Sequence, residues 1–207
     1  MTDFVAEDGK TRCGWAVASG SRAATADSIL YRNYHDTEWG QPLRGNQELF
    51  ERMSLEAFQS GLSWLIILRK RENFRRAFKH FDVAKVARFA DRDVERLMAD
   101  EGIVRNRAKI VATIANARVV ADGPDDLSEL LWSFAPARRP RPATLADVPA
   151  TTPESTAMAR ELKRRGFRFV GPTTAYALMQ ATGMVDDHLR ACWVPSTADN
   201  AARRAGR

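Results

Sequence analysis

Apolar residues in this chain recur at intervals of three and four, segment after segment, and no stretch shows the clean alternation of a half-buried strand. That regularity restricts the fold to packed helices, because a helix-period pattern cannot present one apolar face as a strand. Over residues 46–60, Leu49, Phe50, Met53 and Ala57 share a face, Asn46 can cap, and Gly61 breaks the pattern. Ser63 can cap a second segment running toward Phe81, with Trp64, Ile67 and Leu68 on one side. Asp82 and Asp91 read as caps of two short helices carrying Val83, Val86, Val94, Leu97 and Met98. Gly102 separates these from a longer helix near 105–121 that turns Ile110, Val111 and Ile114 inward, and Asp126 opens another around Leu130, Leu131 and Phe134. Thr151-Thr152-Pro153-Glu154 combines a cap, an early Pro and a Glu three residues after Thr151, starting a helix that ends at Gly166. A last helix runs from Gly171-Pro172 to Gly183. The fold class is all-α. Residues 135–150, rich in Pro, Arg and Ala, read as an extended basic loop. Residues 1–11 and 196–207 read as flexible ends and the stretch near 17–28 as loose, which leaves one domain over 12–195 with room for two helical lobes.

Charge narrows the function classes. The 207 residues carry a net charge of +6, with a pI near 9.7, and arginine far outnumbers lysine. This balance is unusual in a metabolic enzyme and common in a polyanion binder. No apolar run approaches the ~20 residues of a membrane span, and the acidic start Met1-Thr2-Asp3 is not that of a secretory signal. Two cysteines cannot staple a secreted scaffold, so the cytoplasm is the expected compartment.

Four groups of residues carry possible chemistry. The two cysteines and two of the three histidines lie near opposite ends: Cys13 and His35, then His188 and Cys192 at i and i+4, on one face of a helical turn. Such a set suits structural zinc and would tie the ends together; the plainer alternative is two unrelated thiols and two polar histidines. Gly166 to Gly171 forms a short hairpin between helices, and the second helix offers N–H groups at Gly171, Thr173 and Thr174 beside Arg164, Arg165 and Arg168. It is a phosphate site or an ordinary helical corner. Glu56 sits among Leu55, Ala57 and Phe58, as a pocket carboxylate or a residue on the helix surface. Gly61-Leu62 after it is a wedge for a base stack or a core leucine. Trp15, Tyr31, Tyr34 and Trp39 cluster around His35, and Trp64 follows Glu56; aromatics with a carboxylate suit a flat cationic ring, or simply fill the core.

Six segments together resemble the bacterial 3-methyladenine DNA glycosylase I family: Arg12 to Trp15, Tyr34 to Gly40, Leu55 to Trp64, Gly102 to Lys109, Leu131 to Phe134, and Arg165 to Gly171 through Asp187-His188. They run in family order over about residues 12–193. The resemblance implies a helix-hairpin-helix DNA glycosylase fold with one structural zinc per chain, held by Cys13, His35, His188 and Cys192. It implies a DNA repair hydrolase that flips N3-methyladenine out of alkylated duplex DNA and cuts its N-glycosidic bond, releasing free 3-methyladenine. Glu56 would contact the base, Tyr34 and Trp64 would line the pocket with Trp15 and Trp39 nearby, and Leu62 would wedge the stack. No lysine stands out as a Schiff-base nucleophile, so strand cleavage is not expected. The expected protein is a monomer that engages no membrane. Two departures stand out: an Ala/Ser-rich insertion between Cys13 and His35, and Asp186 where relatives carry Asn. Related glycosylases place a catalytic aspartate near that point, which makes Asp186 a catalytic candidate or a helix cap. The competing class is a non-catalytic, zinc-containing helix-hairpin-helix DNA-binding protein, which would need neither Glu56 nor the aromatics.

Overall fold

The structure is a computed structural model that describes residues 4–5, 8–16 and 25–196. Expectations for residues 17–24 and 197–207 lie outside the described residues. Among the described residues nine α-helices follow in order: α1 (Ala26–Thr37), α2 (Asn46–Gln59), α3 (Trp64–Ala77), α4 (Val83–Ala87), α5 (Asp91–Ala99), α6 (Arg107–Asp122), α7 (Leu127–Trp132), α8 (Pro153–Arg164) and α9 (Pro172–Ala181). Two-residue strands, β1 (Phe4–Val5) and β2 (Thr11–Arg12), pair antiparallel near the start of the chain. No helix among the described residues is long and apolar enough to cross a membrane.

The chain divides into two compact units. The first comprises 1–42, 136–150 and 179–207; the second comprises 43–135 and 151–178. In the second unit, α2 buries nearly its whole circumference from Leu49 to Phe58. Around it Phe58, Phe74, Phe78 and Phe81 pack ring to ring, with centroids 4.7 Å apart for Phe58–Phe74 and 5.4 Å for Phe78–Phe81. In the first unit a small core of Cys13, Leu189, Cys192 and Val194 is covered by Trp15 and Leu145.

Several local expectations shift. Helix α1 was not anticipated; it starts within the stretch expected to be loose, where Thr25 and Ser28 cap each other reciprocally. Gly45, not Asn46, precedes α2, and the Asn46 side chain instead accepts from Ser128 N–H at 3.1 Å. Ala90, not Asp91, caps α5, with the Asp93 carboxylate accepting from its N–H. Thr152 with Ser155, rather than Thr151 with Glu154, closes the cap of α8. Val111 is exposed, one 100° step off the face that buries Ile110 and Ile114.

Candidate functional site

In the first unit, α1 delivers His35 from its last turn, the segment after β2 delivers Cys13, and the chain after α9 returns with His188 and Cys192. All four are buried, and their donor atoms lie within 4.8 Å of one another. His188 and Cys192 meet across a turn closed by Cys192 N–H to Leu189 O at 2.8 Å. That corrects the expected helical turn, since residues 188–192 are not helical. The separations are 3.7 Å for Cys13 Sγ to His188 Nδ1, 3.5 Å for Cys192 Sγ to His188 Nδ1 and 3.6 Å for Cys192 Sγ to His35 Nε2. Zinc–sulfur and zinc–nitrogen bonds set at a tetrahedral angle give an S···N edge of about 3.6 Å. The residues therefore fit a tetrahedral cation.

The outward nitrogens are also engaged. His35 Nδ1 lies 2.8 Å from Asp36 Oδ1, and His188 Nε2 lies 3.1 Å from Trp39 O. Such partners fix the tautomer that aims the other nitrogen inward. Arg12, itself buried, grips Asp36 with Nε at 2.9 Å and Nη2 at 2.7 Å. Burial alone would raise the Asp36 carboxyl, but hydrogen bonds from Arg12 and His35 outweigh it and hold the group below its usual range. Between the sulfurs, contact with Cys13 and the facing imidazoles draws the Cys192 thiol below its usual range, whereas the same contact and burial push the Cys13 thiol up. Trp15, Tyr34 and Trp39 pack on this cluster, with Trp15 5.1 Å from His35, 4.9 Å from Trp39 and 6.4 Å from Tyr34.

The Pro/Arg segment belongs to the same unit. Arg139 donates to the buried Asp187 at 2.7 Å, and Arg141 Nε donates to Asp186 Oδ2 at 2.9 Å while its Nη1 reaches Val194 O. Asp186 thus faces an arginine of its own chain and fastens the 136–142 segment beside the Cys/His cluster.

Glu56 and Trp64 belong to the second unit. Glu56 is 5% exposed in the middle of α2. Burial pushes its carboxyl up to about 7, and the Arg52 charge one turn earlier pulls partly back. Arg52 also lies 5.3 Å from the Trp64 ring centroid. After α2 the chain makes a type II turn: Ser60 has φ −46° and ψ 117°, Gly61 has φ +82°, and Leu62 N–H returns to Gln59 O at 2.6 Å. Glycine is needed at that left-handed position. Leu62, at the tip, is 39% exposed rather than part of the core.

The connection from α8 to α9 is pinned by buried Asn116, which accepts from Arg168 N–H at 2.8 Å and donates to Arg168 O at 3.0 Å. Gly171 and Thr173 are exposed at the start of α9, whose first helical bond is Ala175 N–H to Gly171 O at 2.8 Å. The N–H groups of Thr173 and Thr174 therefore precede the helical ladder. Arg164 and Arg165 are committed to Glu161, at 2.7 Å and 2.6 Å, and Arg165 also to Asp125. Arg168 is exposed and makes no ion pair among the described residues.

The methyladenine glycosylase family model matches residues 24–195. The chain is 42% identical over 186 residues to DNA-3-methyladenine glycosylase 1 of Escherichia coli (strain K12), covering 87% of this chain and 95% of that protein. A crystal structure of a 3-methyladenine DNA glycosylase I superposes with a TM-score of 0.80 at 42% identity, over 88% of this chain and 98% of that one. A second, of 3-methyladenine recognition by the glycosylase I of Staphylococcus aureus, superposes at 0.77 with 33% identity, over 84% and 94%.

The chain belongs to the methyladenine glycosylase family.

Four residues of this methyladenine glycosylase were not singled out from sequence: Arg52, Asp36, Asn116 and Lys109. Arg52 was detectable as the i−4 partner of Glu56, and Asp36 as the neighbour of His35. Asn116 acts on residue 168, a separation no local pattern signals. Lys109 belonged to a segment that carried the family resemblance without a role. Its Nζ donates to Phe58 O at 2.9 Å and Ser60 O at 2.5 Å.

Proposed function

We propose that this chain is a DNA repair glycosylase that hydrolyses the N-glycosidic bond of 3-methyladenine in alkylated duplex DNA, releasing the base and leaving an abasic site. The relatives named DNA-3-methyladenine glycosylase support the activity. The observation that carries the chemistry is Glu56, a carboxylate buried in a helix and answered only in part by Arg52. A cationic purine brought to it supplies the missing charge and N–H donors, and the carboxyl ionises as the base arrives. Methylation at N3 makes the base a cation, so the glycosidic bond breaks with both electrons going to nitrogen and the base leaves neutral. Water adds to the resulting sugar cation at C1′ and gives up a proton. Trp64 is assigned to stacking on the flipped base, Tyr34, Trp15 and Trp39 carry over as pocket aromatics from the family resemblance alone, and Leu62 on its glycine turn is assigned to filling the gap left behind.

Cys13, His35, His188 and Cys192 would hold one zinc ion per chain. It would cross-link the first unit and supply no catalytic step, because four protein ligands leave no position for water. The α8–α9 connection is read as the hairpin of a helix-hairpin-helix motif. Gly171, Thr173 and Arg168 face backbone phosphate, and Arg164 and Arg165 contribute field weakened by Glu161 and Asp125. The protein acts as a monomer in the cytoplasm, where reducing conditions suit thiolate ligands.

The deciding experiment is chromatography of bases released from methylated duplex DNA. Free 3-methyladenine is expected; its absence, with DNA binding retained, would leave a non-catalytic DNA-binding protein.

Two further outcomes follow from the geometry. A methyl group at Gly171 meets nothing within 4 Å, so Gly171→Ala should fold normally and keep the protein from closing on phosphate. Gel-shift affinity should fall about tenfold for damaged and undamaged duplex alike, a loss of about 1.4 kcal/mol. Binding of free 3-methyladenine should not change; the opposite pattern would put the hairpin in the base pocket. For Asp186, engagement by Arg141 favours fastening over catalysis. Asp186→Asn should lower the melting temperature by about 2–4 °C, the shift expected for ~1 kcal/mol. Single-turnover excision should hold within about threefold, since tenfold corresponds to 1.36 kcal/mol of barrier. A larger loss would restore Asp186 to the catalytic set.

A further inference from the structure

Residues 60–63 are exposed between the buried Phe58 and Trp64, and they carry the exposed Leu62. The turn sends no side chain into the core. Its own bonds are main-chain ones, Ser60 N–H to Ala57 O at 3.3 Å and Leu62 N–H to Gln59 O at 2.6 Å. A methyl group placed on Gly61 would meet nothing within 4 Å, so packing does not brace the tip either. A wedge held this way would bend when pushed against a base stack, because ordering it would consume what its contacts return.

Beneath the turn sits the Lys109 ammonium. Lys109 lies near the start of α6, where Asn106 Oδ1 accepts from its backbone N–H at 3.1 Å. Its side chain is 7% exposed and spends two donors on carbonyls at the end of α2, Phe58 O at 2.9 Å and Ser60 O at 2.5 Å. These are carbonyls that a helix end leaves without intrahelical donors, and the helix dipole adds attraction for a cation there. Burying an ammonium is costly, and burial draws its pKa below the ordinary lysine value. One bond to the last turn of α2 and one to the Ser60 corner fix the height and tilt of that turn on α6.

We propose that Lys109 is a positioning residue for base flipping, holding the Gln59–Leu62 turn in the shape that presents Leu62 to the DNA stack. The proposal rests on the reading of Leu62 as the wedge. A wedge matters when a base must leave a paired, stacked duplex and matters little when it is already unstacked. Lys109 therefore acts on duplex substrate selectively.

The test is single-turnover release of 3-methyladenine from one oligonucleotide, as duplex and as single strand, by Leu62→Ala, Lys109→Met, Lys109→Arg and the Leu62→Ala/Lys109→Met double variant. Lys109→Met should lose on the order of tenfold on duplex and less than about twofold on single strand, the scale of a partial unstacking deficit. Lys109→Arg, which still offers charged donors to both carbonyls, should recover to within about threefold of the parent. The double variant should be no slower on duplex than the slower single, because both changes remove one function. If Leu62→Ala excises from duplex at the parental rate, the wedge reading itself fails. If Leu62→Ala is slow and Lys109→Met is not, only the role of Lys109 fails. Equal losses on duplex and single strand would make Lys109 structural and overturn the proposal. Should Lys109→Met not fold, Lys109→Gln, which keeps a donor without the charge, carries the same comparison.

Discussion

Cys13→Ser should purify without zinc, and its first unit should come apart while its second stays folded. Elemental analysis should find about one zinc per parental chain and none in the variant. Binding of structural zinc is worth ~10–16 kcal/mol in small domains, comparable with the whole stability of an ordinary domain. The first unit has little else to replace it. Its small core of Leu189, Val194, Trp15 and Leu145 packs on the two sulfurs themselves. The polar ring of Arg12, Asp36 and Trp39 O is arranged to support the imidazoles. Without the cation, two sulfurs and two imidazoles are left buried and sharing too few protons. The melting temperature should fall by more than ~10 °C, several kcal/mol at 2–4 °C each. Hydrogen exchange gives the sharper readout. Amides of α1 should lose protection, while those of α2, α3 and α6, held by the phenylalanine cluster, should keep theirs. A metal-free parental protein with full protection across α1 would remove zinc from the account.

Glu56→Gln should lose excision and gain stability. On duplex carrying 3-methyladenine, the parental kcat/KM should rise with pH and level off near 7, where the buried carboxyl titrates. Below that point it should fall about tenfold per unit. Glutamine has no such limb, offers no charge to the cationic base, and should cut kcat/KM at pH 8 by at least about a hundredfold, as losing a buried charged partner does. Binding to undamaged duplex should stay nearly intact, because the partner proposed for Glu56 is the base and not the phosphates. The stability effect has the opposite sign. The folded pKa of about 7 lies above the ordinary 4.5, so the folded chain holds this proton more tightly than the unfolded one. Stability attached to the protonated carboxyl is therefore complete below pH 4.5 and lost as pH rises through 7. Replacing the carboxylate with a neutral amide should recover on the order of 3 kcal/mol at pH 8 and nearly nothing at pH 4. Denaturant titration at the two pH values measures this directly. A variant no more stable at pH 8 than at pH 4, relative to the parent, would mean that Glu56 is not the strained group.

The legible part of this molecule is the part written in short-range pattern. Asp82 and Asp126 cap α4 and α7 as their positions before apolar runs suggest, each accepting from the N–H three residues on. Rarity exposed the Cys/His cluster, since two cysteines and three histidines leave few combinations, although its closing turn was mistaken for a helix. Helix α1 escaped because its polar first turn follows an Ala/Ser-rich stretch and its cap is a Thr–Ser pair rather than Thr with Glu. Glu56 was visible only as an anomaly among apolar neighbours; what raises its pKa is burial on every side of α2, which no local window contains. Lys109 and Asn116 reach partners about fifty positions away in sequence. Nothing in a one-dimensional pattern separates a buried lysine from a solvated one.

The four residues of the Cys/His cluster also set an order of assembly. A chain is made from its N-terminus, and residues 43–135, the larger part of the second unit, leave the ribosome before the first unit has its last two ligands. Cys13 and His35 wait through more than 150 residues of synthesis for His188. During that interval the cluster holds two of its four donors. Closure of the cluster is therefore a late event of synthesis, possible only once Cys192 has emerged.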